Sequence, residues 1–454
     1  MRRHLVAALA LLLAVLAVGL ASLIPAQSVV PATLARDDRG RLELACTSTA
    51  GDSYESLVVA AGEGVTTSRV PAPDAPAAVA GVAALRDRPD AVRVSGPRTG
   101  AFGAASGIGA EAGAERGLSL APCPPADSDL WFPGVVSNDD AQAELRLINL
   151  DSTEAAVDVT VYGAEGRIAA PGSRGLIVAP LGERTISLSG VSSPAAVTLH
   201  VSTSQGRVAA LVKQRLWRDG ASIGTDWVPP ALAPAGSLLI PGVPAGAGRR
   251  DLVLVNPGER TASVSLEVLG TGGTIRLPGL ETVDVPAEST RVVPLERGLA
   301  GLAATVRVTG EQRLTAALIA GTGGGDKSAD FAVLPAATPL PGTGLWPLPL
   351  AEAAGATLYL TNPTDADAKV LVRAGRPDAA ETSVTVPAGS VSAVAVPEGA
   401  TPIIRITTPV RGLYAAVVAT QKLGPVNGLG AMTLGPPRAQ LDLPNVRYDP
   451  RTGS

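Results

Sequence analysis

The chain has 454 residues with 37 Lys plus Arg, 41 Asp plus Glu and a formal net charge of −4; this near balance, slightly acidic, excludes a nucleic-acid-binding face. Only 17% of residues are charged and 3% aromatic while 46% are apolar, so the cores must be packed from small aliphatic side chains. The 51 Gly and 39 Pro interrupt helices and central strands, which favours short strands joined by turns.

The chain opens with Met1-Arg2-Arg3-His4, then runs from Leu5 to Ile24 without a charge before Pro25. A basic start and an apolar core form the pattern of an export signal. The run also has the length of a bilayer-spanning helix, about 20 residues at 1.5 Å each. Residues 1–27 are therefore read as a signal peptide or a signal anchor. With Arg2 and Arg3 inside, the expected location is the cell membrane, single-pass, with an extracytoplasmic body. The alternative is secretion after cleavage.

Cys46 and Cys123 are the two cysteines. In an oxidising compartment they are expected to form a disulfide, worth about 4 kcal/mol by the chain-entropy argument. Residues 28–128 otherwise read as a degenerate β segment. Strand-like pieces such as Ser56–Ala60, Val92–Val94 and Leu118–Leu120 are separated by Gly- and Ala-rich stretches. The small residues from Gly100 to Gly113 suggest a mobile loop, and Ala75–Leu85 is open to a helix.

From residue 129 the chain repeats. The openings are Leu130-Trp131-Phe132-Pro133-Gly134-Val135, Leu239-Ile240-Pro241-Gly242-Val243 and Leu345-Trp346-Pro347-Leu348-Pro349. Each is followed by an alternating strand ending in Asn: Asn149, Asn256 and Asn362. Further alternating strands follow at matching places, such as Val157–Val161, Val264–Val268 and Val370–Arg373. Period-two alternation puts one sheet face on a core and the other in water. Several short strands with Pro/Gly turns in each repeat of about 105–110 residues indicate a β-sandwich.

The expected fold class is all-β, with tandem Ig-like β-sandwich modules after a single N-terminal transmembrane or signal helix. The expected modules are residues 129–236, 237–342 and 343–454, the last with a closing strand from Leu441 to Val446. Modules in series suggest a rod. The alternative architecture is a closed multi-blade β-propeller, with two blades in each repeat.

The stretch Arg116-Gly117-Leu118 through Cys123 to Asp129-Leu130-Trp131-Phe132-Pro133-Gly134, with the strand ending at Asn149, resembles an uncharacterised family of actinobacterial exported proteins, a domain of unknown function. The resemblance covers nearly the whole chain. It implies an envelope location and carries no activity and no site residues.

Chemical motifs are weak. Gly220-Ala221-Ser222-Ile223-Gly224 matches a serine-hydrolase elbow, but it lies in a hairpin, and His200 is the one histidine beyond the N-terminal tail. Gly321–Ser328 misses a phosphate loop because Asp326 replaces a required glycine. Asp139, Asp140, Asp365 and Asp367 offer too few ligands for calcium. No catalytic residue, metal site, cofactor or nucleotide is expected. Trp131 and Trp346 share a repeat position and read as core. Trp217 and Trp227 are the candidate binding surface. The functional expectation is a non-enzymatic, membrane-anchored structural or interaction protein of the cell envelope, contacting an envelope protein or cell-wall glycan. The alternative is an accessory or enzyme acting on cell-wall polysaccharide.

Overall fold

The computed structural model describes residues 41–436, apart from short segments at 48–54, 72–74, 87–89, 98–100, 324–328 and 352–353 and positions 171, 190, 192, 194 and 400. The N-terminal apolar run and the Leu441–Val446 segment lie outside the described residues. Among those residues, no helix is long and apolar enough to cross a membrane.

The chain forms two-sheet antiparallel sandwiches, as the alternation required. The plan is clearest in residues 129–228. One sheet runs in the order Gly166–Ile168, Ala155–Gly163, Val197–Gln205, Asp129–Val135. The other runs Glu183–Ser187, Ala141–Ile148, Ala209–Arg218, Ala221–Val228. The first strand of this module is called its opening strand and the last its closing strand. The same order recurs in residues 343–434. In residues 235–335 the long strand Ala304–Gly321 passes through both sheets and joins them.

Residues 41–122 also follow this order. One sheet holds Arg41–Cys46, Ala91–Pro97, Thr66–Val70 and Ala77–Ala78; the other holds Val82–Arg86, Glu55–Gly62, Phe102–Ala110 and Gly117–Pro122. The segment that read as degenerate is thus a further copy of the module, with a divergent sequence. Its Gly-rich part is not a loop, because Phe102–Ala110 pairs on both sides. The small residues answer a packing need. A Cβ on Gly103 would lie 2.3 Å from the Leu345 carbonyl oxygen, and one on Gly107 2.7 Å from Pro349. Ala77–Ala78 and Val82–Arg86 are strands, so the possible helix at Ala75–Leu85 is absent.

The recurrent asparagine is a turn clip. Asn149 is fully buried; its Nδ2 donates to the Thr153 and Val178 carbonyls, and its Oδ1 accepts from the Asp151 N–H. Asn256 and Asn362 repeat this pattern with Arg260, Val285 and Gly258, and with Ala366, Val386 and Thr364. The amide side chain can satisfy both strands of a reversal at once. Leu181, Glu288 and Gly389 occupy matching turns at positive φ, and their N–H groups bond the Asp151, Gly258 and Thr364 carbonyls.

The modules do not string out as a rod. The first sheet of each packs on the second sheet of the next. Ala45, Val70 and Ala91 meet Ile148, Leu150 and Ala209. The second module's core includes Val253, Ala317, Ile319 and Val333 of the third. The third module's core includes Tyr359, Val391 and Ala416 of the fourth. The fourth returns to the first through Ala105, Leu118 and Leu120. Each module therefore covers an apolar face that its neighbour would otherwise expose. Closure is by packing between sandwiches, and among the described residues no hydrogen-bonded barrel forms. The repeating unit is the two-sheet sandwich of the first expectation rather than the single blade of the second.

Candidate functional site

The four closing strands, Gly117–Pro122, Ala221–Val228, Phe331–Pro335 and Val426–Leu434, meet side by side at the centre of the ring. Their registers make Gly117, Gly224 and Gly428 equivalent, and Asp330 takes the fourth place. Two residues further on, the four places hold Ser119, Asp226, Ala332 and Gly430. Small residues are needed where four backbones converge, and the two aspartates use the space that the small residues leave.

Asp330 is 1% exposed and Asp226 fully buried. Oδ2 of Asp330 accepts the N–H of Leu118 from the first module at 2.8 Å and of Leu429 from the fourth at 2.9 Å. Its Oδ1 accepts from Phe331 N–H. Oδ1 of Asp226 accepts from the Ser119 hydroxyl at 2.7 Å, and Oδ2 from Val333 N–H at 2.8 Å. Ser119 Oγ in turn accepts the Trp227 N–H. The two carboxyls thus join all four modules. Burial pushes the Asp330 carboxyl up to about 7, against the pull of its three backbone donors and of Arg116. Burial holds Asp226 well above the usual carboxylate range, and the neighbouring Asp330 adds to that.

Beside this centre, Glu115 is 2% exposed and holds two cations. Its Oε2 is 2.6 Å from Lys213 Nζ, and its Oε1 takes Arg215 Nη2 at 2.6 Å and Nε at 2.8 Å. Arg215 also reaches Glu144 at 3.2 Å. Burial lowers the Lys213 pKa, and Glu115 opposes that shift. Removing one partner of a buried ion pair strands the others. Glu115→Ala should therefore lower stability by about 2–3 kcal/mol, discounted because Lys213 and Arg215 keep some solvent. Urea denaturation of the two forms checks this.

Past the closing strands the linkers between modules and the segment after the last strand line an apolar pocket of about 120 Å³. Pro124 and Pro125, Pro229 and Pro230, and Ala336 and Ala337 come from the three linkers and Gly435 and Pro436 from the segment after the last strand, with Phe102, Trp346 and Leu130 among the other walls. Asp127, Thr338 and Thr433 are its polar side chains. A concave, mostly apolar site with few polar groups is the usual form of a ligand pocket.

Cys46 and Cys123 form the expected disulfide, and Cys123 lines this pocket. Trp227 does not lie on an open surface. It is 3% exposed and packs with Ile108, Ala110 and Ala121 of the first module, with Lys213 Nζ and Arg146 Cζ each 5.6 Å from its ring centroid. Trp217 is half-buried and pairs across a hairpin with Ser222, so the structure does not bring these two tryptophans together as one platform. Trp131 and Trp346 are buried; Trp131 stacks on His200 at 3.9 Å, and His200 Nε2 is 2.7 Å from Asp129 Oδ1.

Asp219 and Gly220 form a hairpin turn at positive φ, and Ser222 lies in the strand behind it, so no hydrolase elbow exists. Thr322 pairs with the Asp330 backbone, and residues 324–328 of the phosphate-loop near miss lie outside the described residues. The Asp367 carboxylate accepts the Ala388 N–H and closes a turn. Among the described residues no group of three or more His, Cys, Asp or Glu is placed to hold a metal.

Sequence reasoning missed Asp226 and Asp330. The available signal was a lone acid at the edge of an apolar strand, in Gly224-Thr225-Asp226-Trp227-Val228 and in Asp330-Phe331-Ala332-Val333-Leu334.

Residues 75–397 match the model of a family of unknown function, DUF5719. A search of curated proteins finds no match.

Proposed function

This chain belongs to the DUF5719 family, and we propose that it is a non-enzymatic, extracytoplasmic interaction protein of the cell envelope whose contact site is the axial pocket. The observation that carries this reading is the pocket itself, which all four modules build and which none would form alone. The disulfide beside it suits an oxidising compartment outside the cytoplasm. The N-terminal apolar run supplies the membrane tether in this reading, with secretion after cleavage as its alternative. The partner is an envelope protein or a cell-wall glycan, docking an apolar group. Action on wall polysaccharide has less support, because Trp227 is taken up by an interface between modules.

The experiment is cosedimentation of the full chain with purified envelope membranes and wall material. A Thr338→Trp variant, which fills the pocket from a half-buried position, runs in parallel. Thr338→Trp should lower recovery about tenfold, as expected for a blocked central contact, with an unchanged thermal midpoint. Equal recovery of the two forms would sink the proposal.

A further inference from the structure

The centre of the ring carries a second property, and it concerns the regulation of the proposed contact site. Modules meet there by apolar packing, with few hydrogen bonds from one module to the next. Asp226 and Asp330 are the buried carboxyls that bond across these junctions, beside links such as Trp227 N–H to Ser119 Oγ and Arg116 to the Ala329 carbonyl. Between them the two carboxyls take up N–H groups of Leu118, Leu429 and Val333 and the Ser119 hydroxyl, from the first, fourth and third modules. The second module contributes Asp226 itself, and the third contributes Asp330. The strands they join run directly into the pocket wall at Pro122, Pro229 and Thr433. We infer that the two carboxyls form a pH-responsive clasp, which tightens the ring and its axial pocket as the surroundings become more acid.

The groups that face the pair define its response. The first module presents Arg116 from the turn before its closing strand, with Nη2 on the Ala329 carbonyl, together with backbone N–H and the Ser119 hydroxyl. The second presents Gly224, Thr225 and Trp227. The third presents the Phe331 and Val333 N–H groups and Thr322 Oγ1, which accepts the Asp330 N–H. The fourth presents the Leu429 N–H. Arg116 is the cation that bears on Asp330, and the two carboxyls raise each other's cost of ionising. The folded chain therefore keeps a proton on Asp330 up to about pH 7, whereas an exposed carboxyl loses it near 3.9. A folded-state value above the unfolded one stabilises fully below the unfolded value, and that gain disappears as pH rises through the folded value.

The clasp rests on the axial pocket being the contact site only for its biological meaning, and its test uses no ligand. The full chain is unfolded in urea at pH 5.5 and at pH 8.0, as wild type and as Asp330→Asn, which cannot ionise and gives up at least one of the N–H bonds that the two carboxyl oxygens accept. The wild-type folding equilibrium should weaken by about thirtyfold toward pH 8.0, the size set by one linked proton between pH 5.5 and the folded value of about 7. Asp330→Asn should lose most of that dependence. An equal pH response in both forms would overturn the inference. Should the variant fail to fold, infrared spectroscopy of the wild type decides: a protonated-carboxyl band should persist at pH 6 and fade by pH 8. Its absence at pH 6 would equally overturn the clasp. Failure of the cosedimentation experiment would leave both readouts unchanged, so the two readings fail separately.

Discussion

Gly224→Ala should lower stability by about 3–4 kcal/mol, combining overpacking with backbone strain. The added Cβ would lie 2.3 Å from Asp330 Oδ1 and 2.9 Å from Phe331 Cδ1, at a φ of +148°. Neither neighbour can yield cheaply. The Asp330 carboxyl is fixed by three N–H donors, and Phe331 lies in the core shared by the second and third modules. Gly220 is the control. Its φ is +74° with nothing within 4 Å of an added Cβ, so Gly220→Ala carries the strain alone, about 1–2 kcal/mol. Urea denaturation of both variants separates the terms. A Gly224→Ala loss no greater than that of Gly220→Ala would mean that the closing strands are not closely packed at the axis.

Breaking the Cys46–Cys123 disulfide should lower stability by about 4 kcal/mol, since the bond closes a loop with a sequence separation of 77. The loss should fall first on the opening module. Its cluster of Leu44, Cys46, Val58, Ala60, Val92, Val94 and Phe102 is small, and the bond ties its opening strand to the end of its closing strand. Reductant added to the wild type, or Cys46→Ala paired with Cys123→Ala, should shift the urea midpoint down. Limited proteolysis should then cut within residues 41–122 before the other modules. An unchanged midpoint and an unchanged cleavage pattern would show that packing against the neighbouring modules already fixes this one.

Much of the module was legible without coordinates. Strands such as Ala141–Ile148 and Ala155–Gly163 bury alternate residues, because a half-buried strand imposes period two on its sequence. The asparagines at 149, 256 and 362 were visible as strand ends, and they are the clips that reverse the chain. The first module was harder to read. Its Phe102–Ala110 strand is Gly, Ala and Ser apart from Phe102 and Ile108, because the fourth module presses on it from outside, and a pattern set by a distant neighbour looks locally like a loop. Trp227 misled for a related reason. An aromatic residue near a module edge reads as exposed until the adjoining module is in place.

The sequence by itself determined that this chain is made of strands in repeated two-sheet units and that its two cysteines pair, because alternation, turn chemistry and cysteine number act locally or within one unit. Only the tertiary structure decided that the units close in a circle, that their last strands share an axis, and that Asp226 and Asp330 are buried together there. Those facts depend on surfaces meeting across hundreds of residues. No local spacing records which face of one sandwich will cover another.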